Sequence, residues 1–324
     1  RQSLADPATP KKAQEERLED MTPCIACLQG CVANMYAGNP VCCLTNPFLG
    51  HEAEPLEKAE EPKKVMVIGG GVAGLSAAFI AKERGHEVTL YEAGDVLGGN
   101  MRLAAYPPGK GDITNMIRSY IHRCQKDGVK IVMNCEVTPE LIKEEKPDSV
   151  IIATGSKTLI LPIEGIDNPA IIHGSDLLDG KRAAGKKVLV VGGGMVGCET
   201  AAFLGEQEHD VTVIEFRDTV GADVIHEHRV YLMKDFEDYG IKEITGAKVC
   251  KFYEDGVEYE TADGVRHESR GYDSVILSMG FRNYNPLEEK IKDLVPETHV
   301  IGDAIRARRA LDATKEAYAV ASKL

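Results

Sequence analysis

Four cysteines, Cys24, Cys27, Cys31 and Cys43, carry the most specific chemistry in this chain. They stand in CIACLQGC and CLTNP, separated by two, three and eleven residues. Three thiolates on one tight loop and a fourth returning from a distance can surround a compact inorganic core. That arrangement suits a cubane [4Fe-4S] cluster, each iron taking one cysteine sulfur. Zinc uses the same four ligands, and two disulfides would consume them in a secreted protein. Cys42, next to Cys43, leaves the fourth ligand ambiguous from spacing alone.

Two glycine turns bring a second kind of chemistry. In GGGVAG, Gly69 permits a tight turn after a strand, Gly71 lets the backbone approach a pyrophosphate, and Gly74 lets helix and strand pack closely. The helix that follows offers unpaired amides and its positive dipole end to the phosphates. Glu92 ends the next strand and is placed to accept hydrogen bonds from both hydroxyls of a ribose. GGGMVG repeats the pattern with Gly192, Gly194 and Gly197, answered by Glu215. A carboxylate at 215 repels a 2′-phosphate and favours NADH over NADPH, whereas Arg217 two residues later offers that phosphate a partner. A redox centre beside two nucleotide sites has an obvious use and a zinc ion does not, so the cluster is the favoured reading of the cysteines.

The elements that must position these groups are legible as a repeat. KVMVIGGGVAGLSAAFIAKERGHEVTLYEA and VLVVGGGMVGCETAAFLGEQEHDVTVIEF are two copies of one strand–turn–helix–strand unit, about 123 residues apart from Gly69 to Gly192. Residues 1–63 read as a polar leader, with a helix through Lys11 to Asp20, then the cysteine module at 23–50 and a charged linker, HEAEPLEKAEEPK. Residues 64–180 and 281–324 read as one nucleotide domain interrupted by a second at 181–280. Helices are expected near 112–127, 223–239 and 305–321, short strands at 130–133 and 149–152, and polar alternating strands through 241–277. The fold class is α/β: two Rossmann-like dinucleotide-binding domains, the second inserted in the first, preceded by a small cysteine-rich segment.

Composition narrows the partners. A formal net charge of −13 disfavours nucleic acid and anionic membrane, whose phosphates it would not neutralise. No apolar run approaches the roughly 18 residues of a membrane span, and no cationic leader opens the chain. Nine cysteines without an export signal point to a reducing cytoplasm. Cys124, Cys135, Cys198 and Cys250 are isolated and read as packing residues. His209, His226, His228 and Tyr284 read as surface or packing residues, and no side-chain acid or base is assigned. The chain begins with Arg1, so it is expected to be a piece of a longer protein.

The cysteine run, CLTNP, the two fingerprints and GGNMRLAAYPPGK together resemble the C-terminal half of the iron–sulfur flavoenzymes of the 2,4-dienoyl-CoA reductase and 2-enoate reductase group. Trimethylamine dehydrogenase is a more distant relative. The resemblance runs along nearly the whole chain. It implies FAD on the first domain, with Gly98 and Gly99 after Glu92, Ala153, Thr154 and Gly155 in VIIATG, and Gly302 and Asp303 in HVIGD as further contacts. Ala73, Asn100 and Arg102 join that set, and Met195 and Val196 join the NADH set. It favours Cys43 as fourth ligand, because the family's ligand sits two residues before an Asn-Pro like Asn46-Pro47. A helix after Asp303 would aim its N-terminus at the flavin. Residues 1–8 look like the exit from an FMN-binding barrel, which would carry FMN and the small-molecule substrate pocket. The activity implied is a relay from NADH through FAD and cluster to FMN, which reduces an activated C=C bond. Three alternatives stay open: an amine-dehydrogenase-like electron-output module, a free-standing NADH-dependent subunit feeding a partner chain, and a zinc-stapled scaffold without redox activity. GGNMRLAAYPPGK holds no reactive cysteine pair, which argues against a flavin disulfide exchanger.

Overall fold

The computed structural model describes residues 1–324, and the chain forms two compact units. One comprises Arg1–Ala105, Gly111–Lys157 and Arg282–Leu324; the other comprises Tyr106–Lys110 and Thr158–Phe281. The first is built on five parallel strands in the spatial order Glu297–Val300, Ser149–Ile152, Lys64–Ile68, Glu87–Tyr91, Lys130–Val132. The second repeats the plan with Ile172–His173, Ser274–Leu277, Lys187–Val191, Asp210–Ile214 and Lys242–Ile244, also parallel. A three-stranded antiparallel sheet, Lys248–Tyr253, Gly256–Glu260 and Arg266–Ser269, completes it. No helix is long and apolar enough to cross a membrane.

The repeat seen in the sequence extends to register. Val65 faces Val88 in the first sheet, and Val188 faces Val211 in the second, the same pairing 123 residues on. Near-continuous Val, Ile and Leu in these strands is what a parallel sheet covered on both faces requires. The Val72–Glu83 helix is buried from Val72 through Ala81, because the Ala310–Ala321 helix also covers it. Its alanines face Ala313, Ala317 and Ala321, and small side chains on both helices let the backbones approach closely.

Two helices differ from expectation. The leader helix spans only Thr9–Gln14, with a separate turn at Leu18–Asp20, because Glu16 takes a left-handed φ of 56° that ends the first helix. The final helix starts at Ala310 rather than 305. Gly302 has φ 64°, the Asp303 carboxylate accepts the Arg308 amide, and the Asp312 carboxylate accepts the Arg309 amide at 3.3 Å, which sets the start. A short 3₁₀ turn over Gly302–Ala304 and an arginine-rich loop therefore follow Asp303, where a helix N-terminus was expected.

The cysteine module is built into the first unit's core. Ile25 and Leu44 are buried in the same cluster as Val65, Val67 and Phe79. The buried Tyr120 hydroxyl donates to the Leu44 carbonyl at 3.1 Å. The leader is tied down as well: the Asp20 carboxylate meets Arg17, His122 and Lys126, which hold it below the usual carboxylate range.

Candidate dinucleotide and thiol sites

The first fingerprint turn shows why each glycine stands where it does. Gly69 has φ 109°, and a Cβ there would lie 2.3 Å from the Ala153 carbonyl oxygen. A Cβ on Gly74 would lie 1.9 Å from the Gly69 oxygen, so only glycine lets the helix start against the turn. Gly71 is different. Its φ of −72° suits any residue, and a Cβ there would meet nothing within 4 Å. The open space at the N-terminus of a 12-residue helix is the cradle a pyrophosphate would fill.

Around that turn the other candidates of the first site converge. Glu92 accepts the Gly70 and Gly94 amides, each at 2.7 Å. A carboxylate offers about four lone-pair sites, so Glu92 braces the turn and keeps acceptor capacity for a ribose. The Gly98 amide donates to Gly70 O at 2.8 Å, and Gly99 lies against Gly71. Asn100 donates to Ser156, whose hydroxyl donates to Asp303 at 2.9 Å. Thr154 donates to the Tyr284 carbonyl, and the Tyr284 amide donates to Gly155 O at 2.9 Å. Gly302 approaches Ala73, where an added Cβ would sit 3.0 Å from the alanine methyl. Arg102 lies on the Asn100–Leu103 turn beside them. Sequence reasoning missed Ser156, whose only signal was its place directly after ATG.

The second turn matches the first. Gly192 has φ 108°, and Cβ atoms on Gly192 and Gly197 would lie 2.4 Å from Ser278 O and 1.8 Å from Gly192 O. Glu215 accepts the Gly193 amide at 2.5 Å and the Arg217 amide at 3.0 Å, as Glu92 does at its own turn. Met195 and Val196 open the Met195–Glu206 helix. Cys198 is fully buried, its thiol donating to Gly193 O and raised by burial to about 12; Cys124 is likewise buried and raised to about 12. Both are packing groups. Cys135 and Cys250 are half-buried.

In the cysteine module, Cys24, Cys27, Cys31, Cys42 and Cys43 line one cavity of ≈ 20 Å³. Ala26 and Leu28 flank Cys27 with left-handed φ of 51° and 56°. Each such non-glycine residue costs about 1–3 kcal/mol and is kept where the surroundings demand it; here the two reversals turn successive cysteines toward one side. Burial raises the Cys27 thiol to about 11, and the facing Cys43, Cys31 and Cys24 add to the rise. The Cys42 sulfur instead takes a hydrogen bond from the Asn34 amide at 3.3 Å, while Cys43 Sγ lies 3.3 Å from the Thr45 hydroxyl. The Gln2 side chain accepts the Cys24 amide at 2.8 Å, and Asn46 of CLTNP reaches back to Leu4 O. No group of three or more His, Cys, Asp or Glu is gathered closely enough to hold a single metal ion. Five thiols on one cavity, one more than the four a cubane takes, are the donor chemistry of an iron–sulfur cluster.

Gly30 was not singled out from the sequence. A Cβ there would lie 2.5 Å from Cys42 O and 2.9 Å from its sulfur, and Gly30 O accepts the Cys42 amide. Gly30→Ala is therefore expected to push the returning segment away, destabilising the module by about 1–3 kcal/mol. A thermal melt checks this; a wild-type value would show the contact is slack.

With this geometry in view, comparison with known proteins is decisive. Residues 63–299 match the sequence profile described as pyridine nucleotide-disulphide oxidoreductase. The chain belongs to that family. It is an oxidoreductase, and membership implies FAD and NAD(P)H, which the two glycine turns fit. The chain is 34% identical to cinnamate reductase of Clostridium sporogenes over 99% of its own length and 48% of the relative's. It is 35% identical to NADH oxidase of Thermoanaerobacter brockii over 98% and 50%, and 33% identical to metal reductase of Desulforamulus reducens over 100% and 53%. A solved 2-naphthoyl-CoA reductase complex matches with a TM-score of 0.95 and 34% identity, covering all of this chain and 50% of that one. The chain thus spans about half the length of the curated relatives it matches, and the likeness to the enoate and dienoyl reductase group stands. Thioredoxin reductase of T. acidophilum, at TM-score 0.61 and 20% identity, shares the fold of two dinucleotide domains.

Proposed function

We propose that this chain is the NADH-oxidising, electron-transfer half of an iron–sulfur flavoenzyme that reduces activated C=C bonds of the 2-enoate or 2,4-dienoyl-CoA type. The observation that carries the reading is the pair of matching glycine turns in one chain with a cysteine-lined cavity rooted in the core of the first unit. Gly71, Glu92, Gly98, Ala153, Thr154, Gly155, Gly302 and Asp303 would hold FAD; Gly194, Met195, Val196 and Glu215 would hold NADH; Cys24, Cys27, Cys31 and Cys43 would hold one [4Fe-4S] cluster. When bound, FAD accepts the two electrons of a hydride and can release them singly, which is the service a cluster needs. The relatives' names differ in acceptor, cinnamate in one and metal in another, while all share this half. That supports placing acceptor choice, and the FMN site, in a barrel of the same protein or in a partner chain. The cytoplasm is the compartment that suits the free thiols.

Protein purified without oxygen is expected to carry FAD and iron and to bleach with NADH. A colourless, zinc-containing protein would support the scaffold reading instead. Glu215→Gln keeps an acceptor for the Gly193 amide but removes the charge. NADH should then bind more weakly by roughly 1–3 kcal/mol, as charged hydrogen bonds are lost, and NADPH should lose less because the repulsion also goes. Equal losses for both in a binding titration would remove Glu215 as the selector.

A further inference from the structure

The two glycine turns differ in what the segment folding back over each of them places at the helix start. The segment after each carboxylate folds back on its turn in the same way: Gly98 N donates to Gly70 O at 2.8 Å, and Gly221 N donates to Gly193 O at 2.7 Å, 123 residues on. Two residues further along stand Asn100 in the first copy and Asp223 in the second. Asn100 turns away from its helix and donates to Ser156. Asp223 does the opposite: its carboxylate accepts the Met195 amide, the first of the Met195–Glu206 helix, at 2.8 Å. A Cβ on Gly194 would find the Asp223 oxygens at 3.5 and 3.6 Å, where Gly71 finds open space. The segment is further held by Arg229, which donates to Thr219 and to Val220 O.

Resting on the reading of the second turn as the NADH site, we infer that Asp223 is a resident anion on the pyrophosphate position, which the dinucleotide must displace to bind. A negatively charged side chain satisfies the helix N-terminus as a phosphate would. Binding NADH therefore exchanges one anion for another instead of filling an empty cradle. The consequence is a division of labour between two otherwise matching turns. The site carrying neutral Asn100 retains its dinucleotide as a fixed cofactor; the site carrying Asp223 releases its dinucleotide after each turnover. The displaced carboxylate then repels the departing phosphates and recaps the helix behind them.

The test uses the intact protein and titrates NADH, ADP-ribose and adenosine against wild type, Asp223→Asn and Asp223→Ala. Both variants should bind NADH and ADP-ribose about tenfold more tightly, mostly through slower release, as a competing charge-assisted hydrogen bond is removed. Adenosine, which has no phosphate, should bind all three alike. In the reciprocal variant, Asn100→Asp, FAD should be lost on dilution at least about tenfold faster. Unchanged or weaker NADH binding in both Asp223 variants, with wild type binding normally, overturns the inference and leaves the site assignment standing. No binding of NADH to any of the proteins overturns the site assignment, and the inference with it.

Discussion

Cys43→Ser is expected to strip the protein of iron, whereas Cys42→Ser should leave about four irons per chain, the cubane stoichiometry. Both thiols reach the cavity, and their different partners decide between them. The Cys42 sulfur is engaged by Asn34, and its backbone is clamped against Gly30. Cys43 is among the thiols whose charge acts on half-buried Cys27. Ligands must be deprotonated to bind metal, so cluster insertion has to overcome the upward shift of Cys27. Flavin content supplies the control. Ile25 and Leu44 anchor the module in the core of the first unit without any ligand, so Cys43→Ser should keep its FAD and still bleach with NADH. Iron and sulfide analysis beside the flavin spectrum separates the outcomes. Iron lost from Cys42→Ser and kept in Cys43→Ser would reassign the fourth ligand.

What the sequence made legible follows from how local the constraints are. A glycine turn with a carboxylate at the end of the next strand needs fixed residue types within about 25 residues, and both copies fold as their spacing implied, down to strand register. The spacing of Cys24, Cys27 and Cys31 was equally local. What escaped depends on contacts between distant positions. Tyr120 on Leu44, Asn46 on Leu4, Gln2 on Cys24 and Ser156 on Asp303 join residues 22 to 147 apart, and no periodicity marks them. The start of the last helix was misplaced because Asp303, chosen for a ligand, also organises the backbone up to Arg308. Asp223 escaped for a different reason. Its meaning lies in comparison with Asn100, within two segments, EAGDVLGGN and EFRDTVGAD, that share the fold-back but not the residue at its end.

Within the first turn, two one-methyl substitutions should have opposite consequences. Gly74→Ala is expected to destabilise the protein by about 3 kcal/mol or more, since its methyl would sit 1.9 Å from Gly69 O and neither backbone can yield. Gly71→Ala should leave the thermal melt of the apoprotein unchanged or raise it slightly, because its φ of −72° suits alanine and its methyl meets no protein atom. Yet FAD affinity should fall by about tenfold to a hundredfold, as the methyl stands where the pyrophosphate must approach the helix amides. Reconstitution of apoprotein with FAD, followed by fluorescence, gives the affinity; calorimetry gives the melt. A glycine kept for packing costs stability when replaced, and a glycine kept for a ligand costs binding. Normal FAD affinity in a stable Gly71→Ala protein would mean that the space over this turn is not where the flavin nucleotide lies.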